Sequence, residues 1–339
     1  MLSAAVRFSL GHLTLATVLA LAIVVGLSRP ASATFILGSA ANYGLLYEGN
    51  GGNILSFNNS NETGNIGIGN TGGFQGNGPG SITGLIDFSA ANTGQFSNSG
   101  VTLTPSANNP MYNVSDVTTA LNTANSLSQT LGLEAGTSTT ISSGGTVNAS
   151  SGTLDGNGNR VFTVTSISFP NGTFTVNGTA SDYVVFNIAD GVGTNGLNGS
   201  ITLTGGITSD QVLFNYTPST SNLTTYNNDY TNLTGGPTMT ISTNGAATTG
   251  VFLDPTGNFQ VNNTHITGRV IGGDTQNSSF VSGANLVVPE SNTATLTALG
   301  LLCLAARRRA ESHRSHRAHP RRRTWRRRSG PSTDPTTGF

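Results

Sequence analysis

The sequence predicts an all-β fold, an irregular β-solenoid with one helix packed alongside, in competition with a β-sandwich. Three observations point there. The body is made of short alternating segments: "GTFTVNG" (Phe174, Val176), "GSITLTG" (Ile201, Leu203), "QVLFNYT" (Val212, Phe214, Tyr216), "TMTIST" (Met239, Ile241), "TGVFLD" (Val251, Leu253) and "GNFQVNN" (Phe259, Val261). Each has the period of two of a half-buried strand and is bounded by Gly, Asn or Asp. Between them stand Asn157-Gly158, Asn171-Gly172, Asn177-Gly178 and Asn198-Gly199, turn formers because both residues tolerate positive φ. A strand with two inward residues builds no deep sandwich by itself, whereas stacked rungs of a solenoid share one continuous core. The spacing between strands is uneven, which predicts an irregular coil.

Taken in order along the chain, residues 1–33 read as a secretory signal peptide. Arg7 lies in the n-region, "LTLATVLALAIVVGL" (13–27) is the apolar region, and Ala31-Ser32-Ala33 offers small residues for signal peptidase, with cleavage after Ala33. Residues 34–287 form the body. Within it "SDVTTALNTANSLSQTLGLEAG" carries Val117, Ala120, Leu121, Ala124, Leu127 and Leu131 at helical intervals, predicting a helix near 116–131 with Ser115 or Asp116 as N-cap and Gly132 just past its end. Its narrow, Ala-rich stripe suits close packing on a flat surface. "DYVVFNIA" is continuously apolar and is expected to be buried on both faces. Cys303 is the sole cysteine, so the body holds no internal disulfide.

Charge is segregated. The chain has 15 arginines and no lysine; eleven of the arginines lie from Arg307 onward. Residues 34–306 hold two arginines against thirteen acids, a net charge of −11, which excludes nucleic acid as a partner of the body. Near the C-terminus "VPESNTATLTALGLLCLAARRR" (288–309) joins a Val288-Pro289-Glu290 step, a 13-residue apolar run too short for a permanent span, and Arg307, Arg308 and Arg309. This order resembles the PEP-CTERM sorting signal of Gram-negative bacteria, although Ser291 stands where that family has a second proline. The resemblance implies transient membrane anchoring, processing by an exosortase-type enzyme, and delivery to the cell surface or extracellular matrix. The basic tail 310–339 departs from the family pattern, reads as disordered, and is assigned no function.

The order of parts in the body resembles the ice-binding-protein-like domain of secreted bacterial proteins. The resemblance rests on "NETGNIGIGNTGGFQGNGPGSITGLIDFSAA" (61–91) before the helix, then "GTLDGNGNRVF", "YVVFNIA", "VLFNYT" and "GVFLDPTGNFQVNNTHITGRVIGG" after it. It implies a right-handed coil with one long helix beside it.

Candidate surface-binding residues are threonines at strand spacing: Thr102 with Thr104, Thr173 with Thr175, Thr202 with Thr204, and Thr238 with Thr240. On a flat face such pairs could order water, although outward threonine also simply suits strands. Their uneven intervals argue against a single ladder. The leading reading is therefore a surface-sorted, non-catalytic adhesive or biofilm matrix component with exopolysaccharide as a partner. Ice binding is the alternative, and a polysaccharide lyase the weaker one. No cofactor, metal or catalytic residue is expected. His265 is the single histidine between the signals, and a lyase needs a base with cations beside it, whereas the body offers only Arg160 and Arg269. "DGNGNR" lacks the glycine and glutamate that an EF-hand loop requires at Arg160 and Ser166 and reads as a polar turn.

Overall fold

The computed structural model describes residues 35–189, 192, 196–217, 238–274 and 276–289. The signal peptide, Glu290, the three arginines 307–309 and the basic tail lie outside the described residues.

Short strands of this composition build no core within a single coil, so they gain stability by pairing with coils above and below. They do so in parallel, on three faces. The first face runs from Met111–Val114 through Ile86–Ser89, Asn65–Ile68 and Tyr43–Tyr47 to residues 270–272. It continues through 251–254, Val212–Thr217, Val184–Ala189 and 160–164 to residues 137–139. The second face links 101–104, 80–83, Asn61–Thr63, Asn285–Val287, 265–267 and 247–249, and on the far side Ser200–Thr204, Thr173–Asn177 and Thr146–Asn148. The third links Thr238–Ser242, Asn258–Asn262, Ser278–Val281, Ile54–Asn58, 73–77 and 96–99. This is the expected irregular β-solenoid. A sandwich is ruled out because its sheets are antiparallel, while among the described residues only Thr153–Leu154 pairs antiparallel, with residues 160–161.

The chain enters in the middle of the stack. It coils outward from Tyr43–Tyr47 to Met111–Val114, and helix α1 (Ser115–Gly132) then carries it back along the first face. It re-enters at the opposite end with Thr137–Ser142 and coils inward until Leu45 meets Val270 and Asn61 meets Asn285. The lengths agree: an 18-residue helix spans about 27 Å, and with four extended link residues it matches the roughly 43 Å between the outermost rungs. The helix begins at Ser115 itself, with Val114 at the cap position and no side-chain cap bond, and Gly132 is its last residue. The displacement from the sequence-based caps arises because Val114 is still paired with Ser89, so the strand runs straight into the helix.

Two cores result. Inside the coil, parallel register stacks like on like: Phe162, Phe186, Phe214 and Phe252 form a column with ring centroids 5.3, 5.1 and 5.2 Å apart. Outside the first face, Val117, Ala120, Leu121, Ala124 and Leu131 of α1 bury Leu46, Val185, Leu213, Val251, Leu253 and Ile271. First-face strands are therefore apolar on both sides, as "DYVVFNIA" predicted.

The corner from the third to the second face demands positive φ on successive coils. Asn59, Asn244 and Asn263 take it with φ of 50°, 53° and 45°, since Asn tolerates that region. Of the four Asn-Gly steps, Gly158 and Gly172 adopt positive φ; Gly178 instead continues a ladder, its N–H donating to Thr204 O at 3.0 Å. No helix among the described residues is long and apolar enough to cross a membrane.

Candidate binding face

On the second face the strand pattern is polar, inward apolar, then threonine: "SIT" at 81–83 and 200–202, "HIT" at 265–267, "TLT" at 102–104. Parallel pairing brings these third positions into one outward column. Thr104, Thr83, Thr63, Val287, Thr267 and Thr249 stand in register across six rungs, and Thr202, Thr175 and Thr146 across three more. All are exposed or half-buried. Rungs are about 4.8 Å apart and alternate residues along a strand about 6.6 Å. The β-branched side chain is stiff at χ1, so hydroxyls and methyls keep fixed positions. Thr63 Oγ1 donates to Leu286 O at 3.2 Å and Thr249 Oγ1 to Thr267 O at 3.1 Å. Val287, 42% exposed, keeps the shape and lacks only the hydroxyl.

The two parts of the column meet where ordinary backbone pairing lapses. Thr248 Oγ1 accepts from Ile201 N at 3.1 Å, and Ser200 Oγ donates to Ala247 O. A shallow groove of ≈ 390 Å³ lies there, lined by Thr202, Leu203, Ile207, Thr248 and Thr249 among others.

Six of the predicted threonines share this face: Thr104, Thr175 and Thr202 in the column itself, and Thr102, Thr173 and Thr204 in flanking columns. Thr238 and Thr240 do not join them. They stand on the third face, where Thr240 is level with Gln260, Ser279, Ser56, Gln75 and Ser97, a mixed polar surface. Pair spacing missed Thr63, Thr83, Thr146, Thr249 and Thr267, since none has a threonine two positions away; the apolar-then-threonine step would have found Thr83 and Thr267. Uneven sequence intervals do not prevent the ladder, because coils of unequal length still end in register.

Beneath the column the inward positions Leu103, Ile82, Leu286, Ile266 and Ile201 are apolar, Thr248 is buried with its hydroxyl bonded to Ile201 N, and Glu62 lies between Ile82 and Leu286 at 0% exposure. Burial holds its carboxyl well above the usual carboxylate range, which favours the protonated form beneath the face. His265 is exposed beside the column, level with Ala247 and Asn285.

The groups a lyase would need stand apart. Arg160 pairs with Val184 while Arg269 pairs with Val251, and three rungs separate the strands that carry the two arginines. Arg269 is buried, ion-paired to Asp210, and donates twice to Ala41 O. The "DGNGNR" segment is a turn: Asp155 Oδ1 accepts from the backbone N–H of Asn157 and Asn159 at 2.9 and 2.7 Å, and Oδ2 from Asn159 Nδ2. Of the sorting step, Val288 and Pro289 are described: Val288 N donates to Thr63 O at 3.2 Å, and a Cγ of Val288 occupies the space that side chains at Gly44 and Gly64 would fill.

Fold and face together define a parallel β-solenoid with one helix along its first face and a threonine column on its second. No protein-family description matches the sequence, and neither does any curated protein. Among solved structures the chain is similar to an ice-binding protein of the Antarctic ascomycete Antarctomyces psychrotrophicus, with TM-score 0.46 and 17% identity over 76% of this chain and 98% of that one. It is also similar to an ice-binding protein with antifreeze activity from an Arctic yeast (TM-score 0.44, 16% identity, 77% and 96% covered). A third is the DUF3494 domain of an ice-binding protein of Shewanella frigidimarina (0.42, 13%, 76% and 97%).

Proposed function

We propose that the chain is exported and binds ice through the threonine column of its second face, acting without catalysis. The observation that carries the reading is the register of Thr104, Thr83, Thr63, Thr267 and Thr249 across paired rungs. A stiff, uncharged array of hydroxyls and methyls with two fixed repeats can hold water in rows commensurate with an ice surface, while charged or rotamer-rich side chains cannot. The third face, with Gln260 and Gln75 among its outward residues, lacks that order.

Export through the signal peptide, with cleavage by signal peptidase after Ala33, and exosortase-type sorting at Val288–Arg309 complete the reading. They place the protein at the surface of a Gram-negative cell, where bound ice would meet it first. Adhesion to exopolysaccharide is the second reading. Asn61, Asn285 and His265 favour it, since they line the neighbouring column with groups suited to sugar hydroxyls.

The test is ice recrystallisation inhibition and thermal hysteresis with Thr83→Tyr and Gln75→Tyr variants. Activity reduced at least several-fold by Thr83→Tyr and unchanged by Gln75→Tyr is expected. An inactive, folded wild-type protein would sink the ice reading and leave glycan binding to be measured on the same variants.

A further inference from the structure

At both ends of the solenoid the ladders stop at strand edges that no described residue pairs. One end is made by Phe96–Thr104 and Met111–Val114, paired on one side only. The other is made by Thr137–Ser142 and Thr146–Asn148, likewise paired on one side. None of these four strands contains a charged residue or a proline, two of the common devices that stop an edge from recruiting another strand. The end strands are rich in Ser, Thr and Asn, yet four exposed apolar side chains also stand at the ends. Met111 and Tyr112, 39% and 53% exposed, sit at one end, with Tyr112 stacked on Phe88 as the last ring of its ladder. Leu133 and Leu154, each 57% exposed, sit at the other, in the link after α1 and in the strand that shares an edge of Arg160–Ser168 with Thr137–Ser142.

We propose that copies of this chain stack head to tail, the Phe96–Thr104 end of one on the Thr137–Asn148 end of the next. The occupant follows from strand direction. All strands of a ladder are parallel, so a head-to-tail copy in register lays 101–104 along 143–146, 96–99 along 140–142, and Met111–Val114 along 137–139. First face meets first, second meets second, and the inward columns continue. A two-fold pairing of like ends would run antiparallel and, with three faces, align one while exchanging the other two. Head-to-tail stacking also sets Thr104 next to Thr146, both members of the threonine column, so the binding face runs on from copy to copy. The contact is heterologous and does not close on itself, which gives linear fibres. It does not depend on what the face binds.

The experiment is sedimentation of the purified full chain over a concentration series, beside two variants at exposed positions. One blocks the first end (Met111→Lys with Tyr112→Lys) and one the second (Thr146→Lys with Leu154→Lys). The wild type is expected to grow past dimer with concentration, each variant alone to stay a monomer, and an equimolar mixture of the two to form dimers and stop. A wild type that remains monomeric throughout overturns the proposal. So does a variant that still dimerises alone, the signature of like-end pairing, or a mixture of folded variants that stays monomeric.

Discussion

Asn215, on a first-face strand, and Ser128, on α1, exchange two hydrogen bonds: Ser128 Oγ donates to Asn215 Oδ1 at 2.6 Å, and Asn215 Nδ2 donates to Ser128 O at 3.1 Å. Asn215 Nδ2 also reaches Asn187 Oδ1 at 2.9 Å, and Asn187 Nδ2 donates to Leu131 O at 2.6 Å. This buried relay sets the helix at one position along an otherwise greasy seam. Asn215→Ala strands several buried polar groups and should cost about 1–3 kcal/mol, seen as a lower urea midpoint with the helical far-UV signal lost first. An unchanged midpoint would mean that apolar packing alone seats α1.

The phenylalanine column predicts a gradient. Phe214 is stacked on both sides, so Phe214→Ala should destabilise by about 3–5 kcal/mol. Phe96 ends a separate stack on the third face, parallel to Phe74 on one side and edge-on to Phe88, and is only partly buried, so Phe96→Ala should cost clearly less. Equal losses in chemical denaturation would contradict a core built rung by rung.

Where the first coil closes on the last, Glu48 and Asp274 are buried together. Desolvation, with Asp274 nearby, pushes Glu48 from its ordinary 4.5 up to about 7, and burial raises Asp274 to about 6 against the hydrogen bond from Asn50. The folded state therefore holds protons that the unfolded chain releases, and stability falls as pH rises from about 4 to 7. The loss should be on the order of 1–3 kcal/mol for Glu48. Glu48→Gln should flatten this decline in a melting series between pH 4 and 8; a slope left intact would place the titration elsewhere.

Gly268 has φ +150°, and a Cβ there would sit 1.8 Å from Gly250 O on the coil below. Gly268→Ala must push two rungs apart and should cost well over about 1 kcal/mol. Gly156→Ala, with open space around it, should be neutral in the same thermal melt.

Much of this was readable residue by residue. Period-two segments marked the strands, the intervals from Val117 to Leu131 marked α1, and unbroken "VVFNIA" marked a strand covered on both sides, because burial side and chemical type alternate together within any one segment. The sequence could not say that Thr63, Thr83, Thr104, Thr249 and Thr267 share a column while Thr238 and Thr240 stand elsewhere. Nor could it show Leu45 against Val270.

The sequence by itself determined the parts: short β segments with Asn or Gly at their corners, one Ala-rich helix, an acidic body poor in cations, and a basic terminus set apart from it. Only the tertiary structure decided which strand lies on which. Register is set by inward side chains packing across coils of unequal length and by closure of the last coil on the first, contacts between residues far apart in the chain. A threonine's local pattern states that it points outward; only its partners on the neighbouring rungs make it part of a face.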